Sequence, residues 1–512
     1  LETLLKRTLS QSDDNRVTQI EVNGQIINLG QSGEIAAHLI ANVLHGHDLD
    51  KDAVDVTEAL LFLALSHISE TYPLLSFAQN LDVRDTLIHE QDSPSYDIII
   101  GNPPYVRLTR KDSEYRELIK ARYSTRREYN VHALFVEESL RQLRPGGVLS
   151  YLVHKNLLTL DTYYDLRRTL LESYNLIHLS DCGPGQFRGV TAETAILVTG
   201  KGPKTPSMNL TLSRFDGSIG GCSPSAAFNI DEYNTLISPW NKRFVIGLTQ
   251  DSVAFLREVE NHPRLDSRVE IRRGIETGNN ARFLSENPTG RGDWRPVLRG
   301  RDVSMYEVSL NMYLDYNRSA LAKPGKSDLK VTPKVIIQQN SRSPIAYYDR
   351  GRFLVLNSIT YLAGADEDVL KAICVILNST FISWFFRTVM TNNAGLTVNL
   401  LPNNVGRIPY PHSPEVATLS SLCDILAEIK SNSERYQADF DTWHKIIAEC
   451  AVLESYLPGL LGDCRVTRSL EKYRGSFHSL SKSQVASIVG TARKQLKKLN
   501  LPLVMASDHW ML

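Results

Sequence analysis

An α/β fold with a second, α+β domain and a helical C-terminal part is what the pattern of this 512-residue chain predicts, on three observations. Up to about residue 200, short apolar runs alternate with helix-like stretches of about 10 to 15 residues, the pattern of a parallel or mixed sheet covered on both faces. Between 200 and 240 the composition shifts to Gly, Pro and Ser, as in Lys201-Gly202-Pro203-Lys204, which reads as a linker. From about Pro414 the periodicity is helical to the end. The expected division is therefore a sheet domain over 1–200, a linker over 201–240, a second domain over 241–412 and a helical part over 413–512.

In the first domain, residues 1–10 place Leu1, Leu4, Leu5 and Leu9 on one helical face with no capping residue before them, so the chain is expected to start inside a helix. A strand is predicted from Ile20 to Leu29 and a helical run from Ile35 to Val43. Gly46-His47-Asp48-Leu49-Asp50 reads as a strand end entering a helix over Ala53 to Ser66, and Asn80 to Leu87 as the next strand. Tyr96 to Gly101 is a short continuous apolar strand that ends at Asn102-Pro103-Pro104-Tyr105. A helix over Val131 to Leu143 is closed by Pro145-Gly146-Gly147. Val148 to Val153 and Leu176 to Ser180 are strands with a helix at Thr162 to Ser173 between them. In such sheets ligands gather outside the carboxyl ends of the strands, which is where the Asp48 and Asn102 loops fall.

Composition narrows the function classes. Lys plus Arg equals Asp plus Glu at 57 each, so the net charge announces no nucleic-acid partner and any basic surface must be local. From Arg264 to Arg352 there are 17 Lys and Arg against 10 Asp and Glu, a local excess that the total conceals. Six cysteines are scattered with no CxxC pair, which argues against a disulfide framework or a structural zinc and fits a reducing, cytoplasmic setting. The most apolar run, Leu370 to Phe386, is interrupted by Asn378, Ser379, Thr380 and Ser383 and reads as a buried helix rather than a membrane span.

Asn102-Pro103-Pro104-Tyr105 suits one chemical problem. The lone pair of an exocyclic amino group on a heteroaromatic ring is delocalised, and methylating it requires that lone pair to be localised. An Asn side-chain oxygen and a neighbouring backbone carbonyl can each accept one N–H of that amino group as it attacks an activated methyl. Two prolines stiffen the loop and remove backbone donors that would compete. An aromatic ring beside them offers a stacking face for a base taken out of the duplex.

With these residues the chain resembles the gamma-type adenine-N6 DNA methyltransferases, in particular the TaqI-like and larger type IIG restriction-modification proteins. The resemblance implies a Rossmann-like, S-adenosylmethionine-dependent sheet domain and double-stranded DNA as partner. In that family an acidic residue after the second strand binds the cofactor's ribose hydroxyls, a role that falls on Asp48. The following motif is similar to Arg84-Asp85-Thr86-Leu87, which assigns the cofactor's adenine amino group to Asp85, with Asp82 as the alternative. Gln186-Phe187-Arg188-Gly189-Val190 resembles the late motif whose aromatic residue contacts the flipped base, making Phe187 a partner of Tyr105; a core phenylalanine is the competing reading. The family's glycine-rich loop between first strand and first helix has no counterpart in the chain, and Leu1 to Arg7 resembles the helix that follows it. The expectation is a chain lacking the first strand and loop, which alone binds S-adenosylmethionine weakly or not at all.

Residues 241–412 resemble the family's target-recognition domain at Gly274-Ile275-Glu276-Thr277-Gly278, Pro296 to Asp302, Pro333 to Gln338, Leu377-Asn378-Ser379 and Ile408-Pro409-Tyr410-Pro411. Arg299, Arg301, Lys334 and Gln338 are the expected DNA ligands there, since Arg and Lys neutralise phosphates and Arg or Gln can read base edges. The basic stretch Arg107 to Arg127, interleaved with Tyr115 and Tyr123, either closes over DNA or is a solvated helix. Two alternatives stay open: an amino-methyltransferase acting on protein glutamine or RNA, and a non-catalytic DNA-recognition module. No metal site, membrane segment or obligate protein partner is indicated, and nuclease activity is undecided.

Overall fold

In a computed structural model the described residues are 43–68, 80–89, 96–106, 113–123, 130–186, 192–205, 208–215, 222–248, 250–326, 331–391, 398–412, 414–431, 440–458, 465–472 and 480–499, with the backbone of 19–22 and 25–28. The expected helix at 1–10 lies outside them, as does the expected helix from Ile35 to Val43 apart from Val43 itself. The chain divides into two compact units, 1–97 with 103–144, and 98–102 with 145–512.

In the first unit, β1 (Gln19–Val22) and β2 (Gln25–Asn28) form an antiparallel hairpin where one strand was predicted. The Asn23-Gly24 dipeptide between them is the sequence signal for a two-residue hairpin turn. Strand β3 (Gly46–Asp48) leads into helix α1 (Lys51–Ile68), and β4 (Leu81–Val83) returns parallel to β3 with Asp48 opposite Val83. This is a βαβ unit, as the alternation predicted. Helices α2 (Ser113–Arg122) and α3 (Val131–Gln142) pack around Leu87, Ile119, Tyr123, Val131 and Leu134.

The second unit holds a six-stranded sheet whose strands lie in the order Cys222–Asn229, Asn209–Phe215, Asn175–Gly183, Thr194–Gly200, Leu143–His154, Tyr96–Gly101. Strand β5 (Tyr96–Gly101) forms its edge, beside β6 (Leu143–His154); β7 (Asn175–Gly183) and β8 (Thr194–Gly200) follow, and β8 is antiparallel to both β6 and β7. From Gly147 onward β6 buries every second residue, the period of a strand with one face on a core. The Pro145-Gly146-Gly147 predicted to close a helix lies inside β6, because Gly146 extends the pairing by donating its N–H to the Lys201 carbonyl.

The stretch predicted as a linker is a correction. Strands β9 (Asn209–Phe215) and β10 (Cys222–Asn229) continue the sheet, and helix α4 (Ile230–Ile237) follows, capped by the Asn229 side chain. Alternating apolar residues Leu210 and Leu212 are fully buried, a period-two signal that the flanking Gly, Pro and Ser outweighed in the sequence. Beyond α4 the buried guanidinium of Arg167 donates to the carbonyls of Leu157, Leu160, Asn241 and Lys242. Asp161 accepts both Arg407 contacts at 2.8 Å and one from Arg243 at 3.2 Å. Burial alone would raise the Asp161 carboxyl, but the hydrogen bond from Arg407 and the Arg243 charge hold it down at about 2.

Among the described residues the second domain holds, beside smaller two-stranded sheets and helices, two four-stranded sheets. In one, Lys334–Gln338 lies between Ile359–Ala363 and Ala346–Asp349, with Glu270–Arg273 at the edge. The C-terminal part is helical as predicted, with Val416–Ser431, Glu449–Tyr456 and Lys482–Leu499 among its helices. The apolar run Leu370 to Phe386 is largely buried, yet it spans two helical segments, Glu367–Asn378 and Thr380–Met390, bent by 57°. The N–H groups freed at the bend are taken by Ser379 Oγ and by the Glu449 carboxylate, which accepts from Thr380 at 2.6 Å and Phe381 at 2.7 Å. No single helix among the described residues is long and apolar enough to cross a membrane. Cys182, Cys374, Cys423 and Cys450 are buried thiols outside any disulfide.

Candidate functional site

The loop Asn102 to Tyr105 leaves the end of β5 where the chain has no side chain to spare: a Cβ on Gly101 would meet the Tyr151 ring at 3.0 Å. Asn102 and Pro104 are exposed, Pro103 is buried and Tyr105 is half-buried. Two contacts with α3 set the far end of the loop. The Val131 N–H donates to the Val106 carbonyl at 3.0 Å, and the Tyr105 ring meets the His132 ring edge-on at 5.9 Å. The Asn130 side-chain oxygen stands 2.6 Å from His132 Nδ1 and fixes that imidazole in turn.

Asp48 and Asp85 stand at or just past the carboxyl ends of two neighbouring parallel strands. The Asp48 carboxylate is exposed and accepts the Asp50 N–H at 2.9 Å, while Asp50 accepts that of Asp52, opening α1. Asp85 is half-buried and accepts the Leu87 N–H at 2.9 Å. Among the described residues the second oxygen of each carboxylate takes no hydrogen bond. Asp82 differs: it lies 3.7 Å from His47 and 3.9 Å from Arg84. His47 is pushed down to about 4 by burial and by Arg84, so it is neutral at pH 7 and Asp82 is held by Arg84. Of the two carboxylates the sequence left as alternatives, Asp85 is the one not committed to an ion pair.

Sequence reasoning missed what holds the Asp85 loop. Glu138 on α3, almost fully buried, lies within hydrogen-bond distance of Arg122 at 2.9 Å, Arg141 at 3.0 Å, Gln142 at 3.1 Å and the Tyr123 hydroxyl at 2.9 Å. Burial would raise the Glu138 carboxyl, but hydrogen bonds from Arg122 and Tyr123 bring it below its ordinary value. Arg122 and Tyr123 had been read as part of a basic segment that either covers DNA or is solvated; Tyr123 instead sits in the core of this unit. Its signal was the Tyr115, Ile119, Tyr123 spacing, which puts three apolar rings and chains on one helical face. Arg107, Arg110, Lys111, Arg126 and Arg127 lie outside the described residues.

Phe187 also lies outside the described residues. The two ends of the segment that bears it meet on one buried ammonium, Lys155 Nζ, at 2.8 Å from Asp181 and 3.5 Å from Glu193.

In the second domain the expected DNA ligands part company. Lys334 is fully buried, opposite Asp349 across the sheet, and the two pair at 2.7 Å with no exposure on either side chain. It faces the interior instead of a phosphate, because its position on the strand points inward. Arg299 folds back on Asp302 with two contacts of 2.9 and 3.0 Å and closes the turn Gly300–Asp302. Arg301 on that turn is exposed. Gln338 is half-buried beside it: a Cβ on Gly300 would lie 3.6 Å from Gln338 Cγ and 2.7 Å from the Ser358 carbonyl.

Residues 42–187 match the Eco57I restriction-modification methylase family, and residues 295–410 match the TaqI-like C-terminal specificity domain. The chain is 31% identical over 114 residues to the type II restriction enzyme and methyltransferase RM.Eco57I of Escherichia coli, a stretch covering 21% of this chain and 11% of that protein. It is 33% identical over 115 residues to the type II methyltransferase M.TthHB8I of Thermus thermophilus, covering 20% and 26% respectively. The chain thus matches only 11% and 26% of these relatives' own lengths. Among solved structures, the type IIL restriction-modification enzyme MmeI in complex with DNA is similar with a TM-score of 0.54 at 9% identity, over 90% of this chain and 66% of that one. A nuclease-deletion mutant of the type ISP enzyme LlaGI with a DNA substrate mimic is similar with a TM-score of 0.51 at 12% identity, over 83% and 43%. These likenesses show a shared mixed α/β fold. With a methylase segment and a specificity segment in that order on one chain, the sequence is similar to the TaqI-like, type IIG restriction-modification methyltransferases.

Proposed function

We propose that the protein is a site-specific DNA methyltransferase that transfers a methyl group from S-adenosylmethionine to the N6 amino group of an adenine turned out of the duplex. The observation that carries this reading is the Asn102 loop, exposed at the end of β5 and held at Tyr105 and Val106 by the start of α3. Asn102 Oδ1 and the Pro103 carbonyl accept the two N–H bonds of the target amino group and localise its lone pair, and Tyr105 stacks on the base. The DNA-bound enzyme of similar fold and the specificity segment support DNA as the substrate over protein or RNA.

The residues present fit the cofactor. Two carboxylates, each with one oxygen not engaged among the described residues, stand at the ends of a parallel strand pair; the geometry suits hydroxyl and amino donors. In this reading Asp48 holds the ribose hydroxyls, Asp85 holds the adenine amino group, and the sheet is Rossmann-like. S-adenosylmethionine supplies the electrophilic methyl when bound. Arg301 and Gln338 are the DNA contacts that remain of the four expected, with Arg301 meeting a phosphate and Gln338 nearest the base edges.

The test is to express the full reading frame, incubate it with methyl-labelled S-adenosylmethionine and genomic DNA, and digest to nucleosides. The label is expected in N6-methyladenine at one recurring sequence. Label in cytosine or in protein would overturn the reading.

A further inference from the structure

The geometry points to Tyr123 and Glu138 as positioning residues that hold the Asp85 loop at a fixed distance from the loop end at Tyr105 and Val106, an inference that rests on Asp85 being a cofactor ligand. Both loops are tied to one rigid element. At its start, α3 holds Tyr105 and Val106 through His132 and the Val131 N–H. Two turns further along, its Glu138 carboxylate grips the Tyr123 hydroxyl at 2.9 Å.

That hydroxyl is also 2.6 Å from the Leu87 carbonyl, two residues beyond Asp85. A phenol has one proton to give, so it is shared between the carboxylate and the carbonyl, and Tyr123 ties the loop to the helix. The Leu87 N–H on the same residue donates to the Asp85 carboxylate at 2.9 Å, so where Leu87 is held, the carboxylate is held. Arg141 reinforces the post from two sides: it pairs with Glu138, and its guanidinium lies 4.7 Å over the Tyr123 ring while donating to the Arg122 carbonyl at 2.7 Å. Arg122 in turn reaches the carbonyl of His89 at 3.3 Å, at the other end of the loop.

None of these groups touches the reacting atoms. Their effect is to preset the separation between a carboxylate that orients the cofactor and a ring that receives the base, which is what in-line transfer demands. A clamp of this kind acts on cofactor affinity more than on the chemical step, because Asp85 lies at the cofactor end and Asn102 stays on its own strand.

The experiment is a calorimetric titration of S-adenosylmethionine into the protein from its full reading frame, with steady-state methylation measured alongside. Tyr123→Phe keeps the ring in the core and removes the hydroxyl. It is expected to weaken cofactor binding about three- to tenfold, the worth of one hydrogen bond, with kcat at saturating cofactor within about twofold of the parent. Glu138→Ala is expected to weaken binding at least as much, and Glu138→Gln, which keeps an acceptor for the hydroxyl, to restore part of it. Unchanged affinity in Tyr123→Phe beside a loss in Asp85→Ala overturns the clamp and leaves Asp85 as ligand. Loss of kcat with unchanged affinity also overturns it. Unchanged affinity in Asp85→Ala overturns both.

Discussion

The catalytic segment and the specificity segment treat their polar residues in opposite ways. In the methylase segment the residues that chemistry singled out, Asp48, Asp85, Asn102 and Tyr105, lie at strand ends or on loops with exposed or half-exposed side chains, and a buried frame of Tyr123, Glu138 and His132 stands behind Asp85 and Tyr105. In the specificity segment two of the residues singled out by charge went inward: Lys334 to Asp349 and Arg299 to Asp302. The difference teaches that charge alone does not decide which way a side chain faces, so a charged residue type by itself is weak grounds for a site. Lys and Arg serve structure as readily as ligands, and nothing in a strand's composition says which face a lysine takes.

That contrast can be broken first at Lys334. If its role is the interior pair, Lys334→Ala leaves a buried carboxylate at Asp349 without a partner and lowers unfolding stability by about 3–5 kcal/mol, read as a shift of the denaturant midpoint. A folded variant of unchanged stability with weakened DNA binding would return Lys334 to the DNA face.

The next effect depends on pH. Glu449, buried at the bend before Thr380, has its carboxyl pushed up to about 7 by burial, against 4.5 for the free group. Between those values the unfolded chain has lost its proton and the folded chain keeps it. The contribution is therefore present in full below about pH 4.5 and is lost as pH rises through 7, on the order of 3 kcal/mol across the window. Comparing the pH dependence of the thermal midpoint with that of Glu449→Gln isolates it: the variant should gain on the parent as pH rises from 5 to 7.5. Parallel curves would contradict the assignment.

The smallest effect sharpens the comparison at the surface. Arg301→Ala is expected to leave stability unchanged, weaken binding of specific and random duplexes alike, and lower the slope of log K against log salt by about one. Arg299→Ala is expected to do the reverse, costing about 1 kcal/mol of stability through the opened turn and leaving the salt slope alone. Fluorescence anisotropy at several salt concentrations separates them.

Much of the first domain was legible. The strand 96–101 and the helices near 51–68, 131–142 and 164–173 follow from periodicity and from the breakers between them. The strands at 209–229 were hidden because Gly, Pro and Ser flank them, and loop composition is also the composition of the turns between short strands. The bend at Ser379 was invisible because it is stabilised by Glu449, some 70 residues away, and a long-range cap leaves no local trace. The Tyr123 post escaped for the same reason: its partners lie on α3 and in the Asp85 loop, and only the fold brings them together.

The central claim is that Asn102 localises the lone pair of an adenine amino group for methylation. Its most direct test is single-turnover transfer of labelled methyl to duplex DNA by Asn102→Ala against the parent, both at saturating cofactor and DNA. The account predicts a rate lowered by about 100-fold or more, the cost of one acceptor in the transition state, with cofactor and DNA affinities retained. A rate within a few-fold of the parent would contradict it.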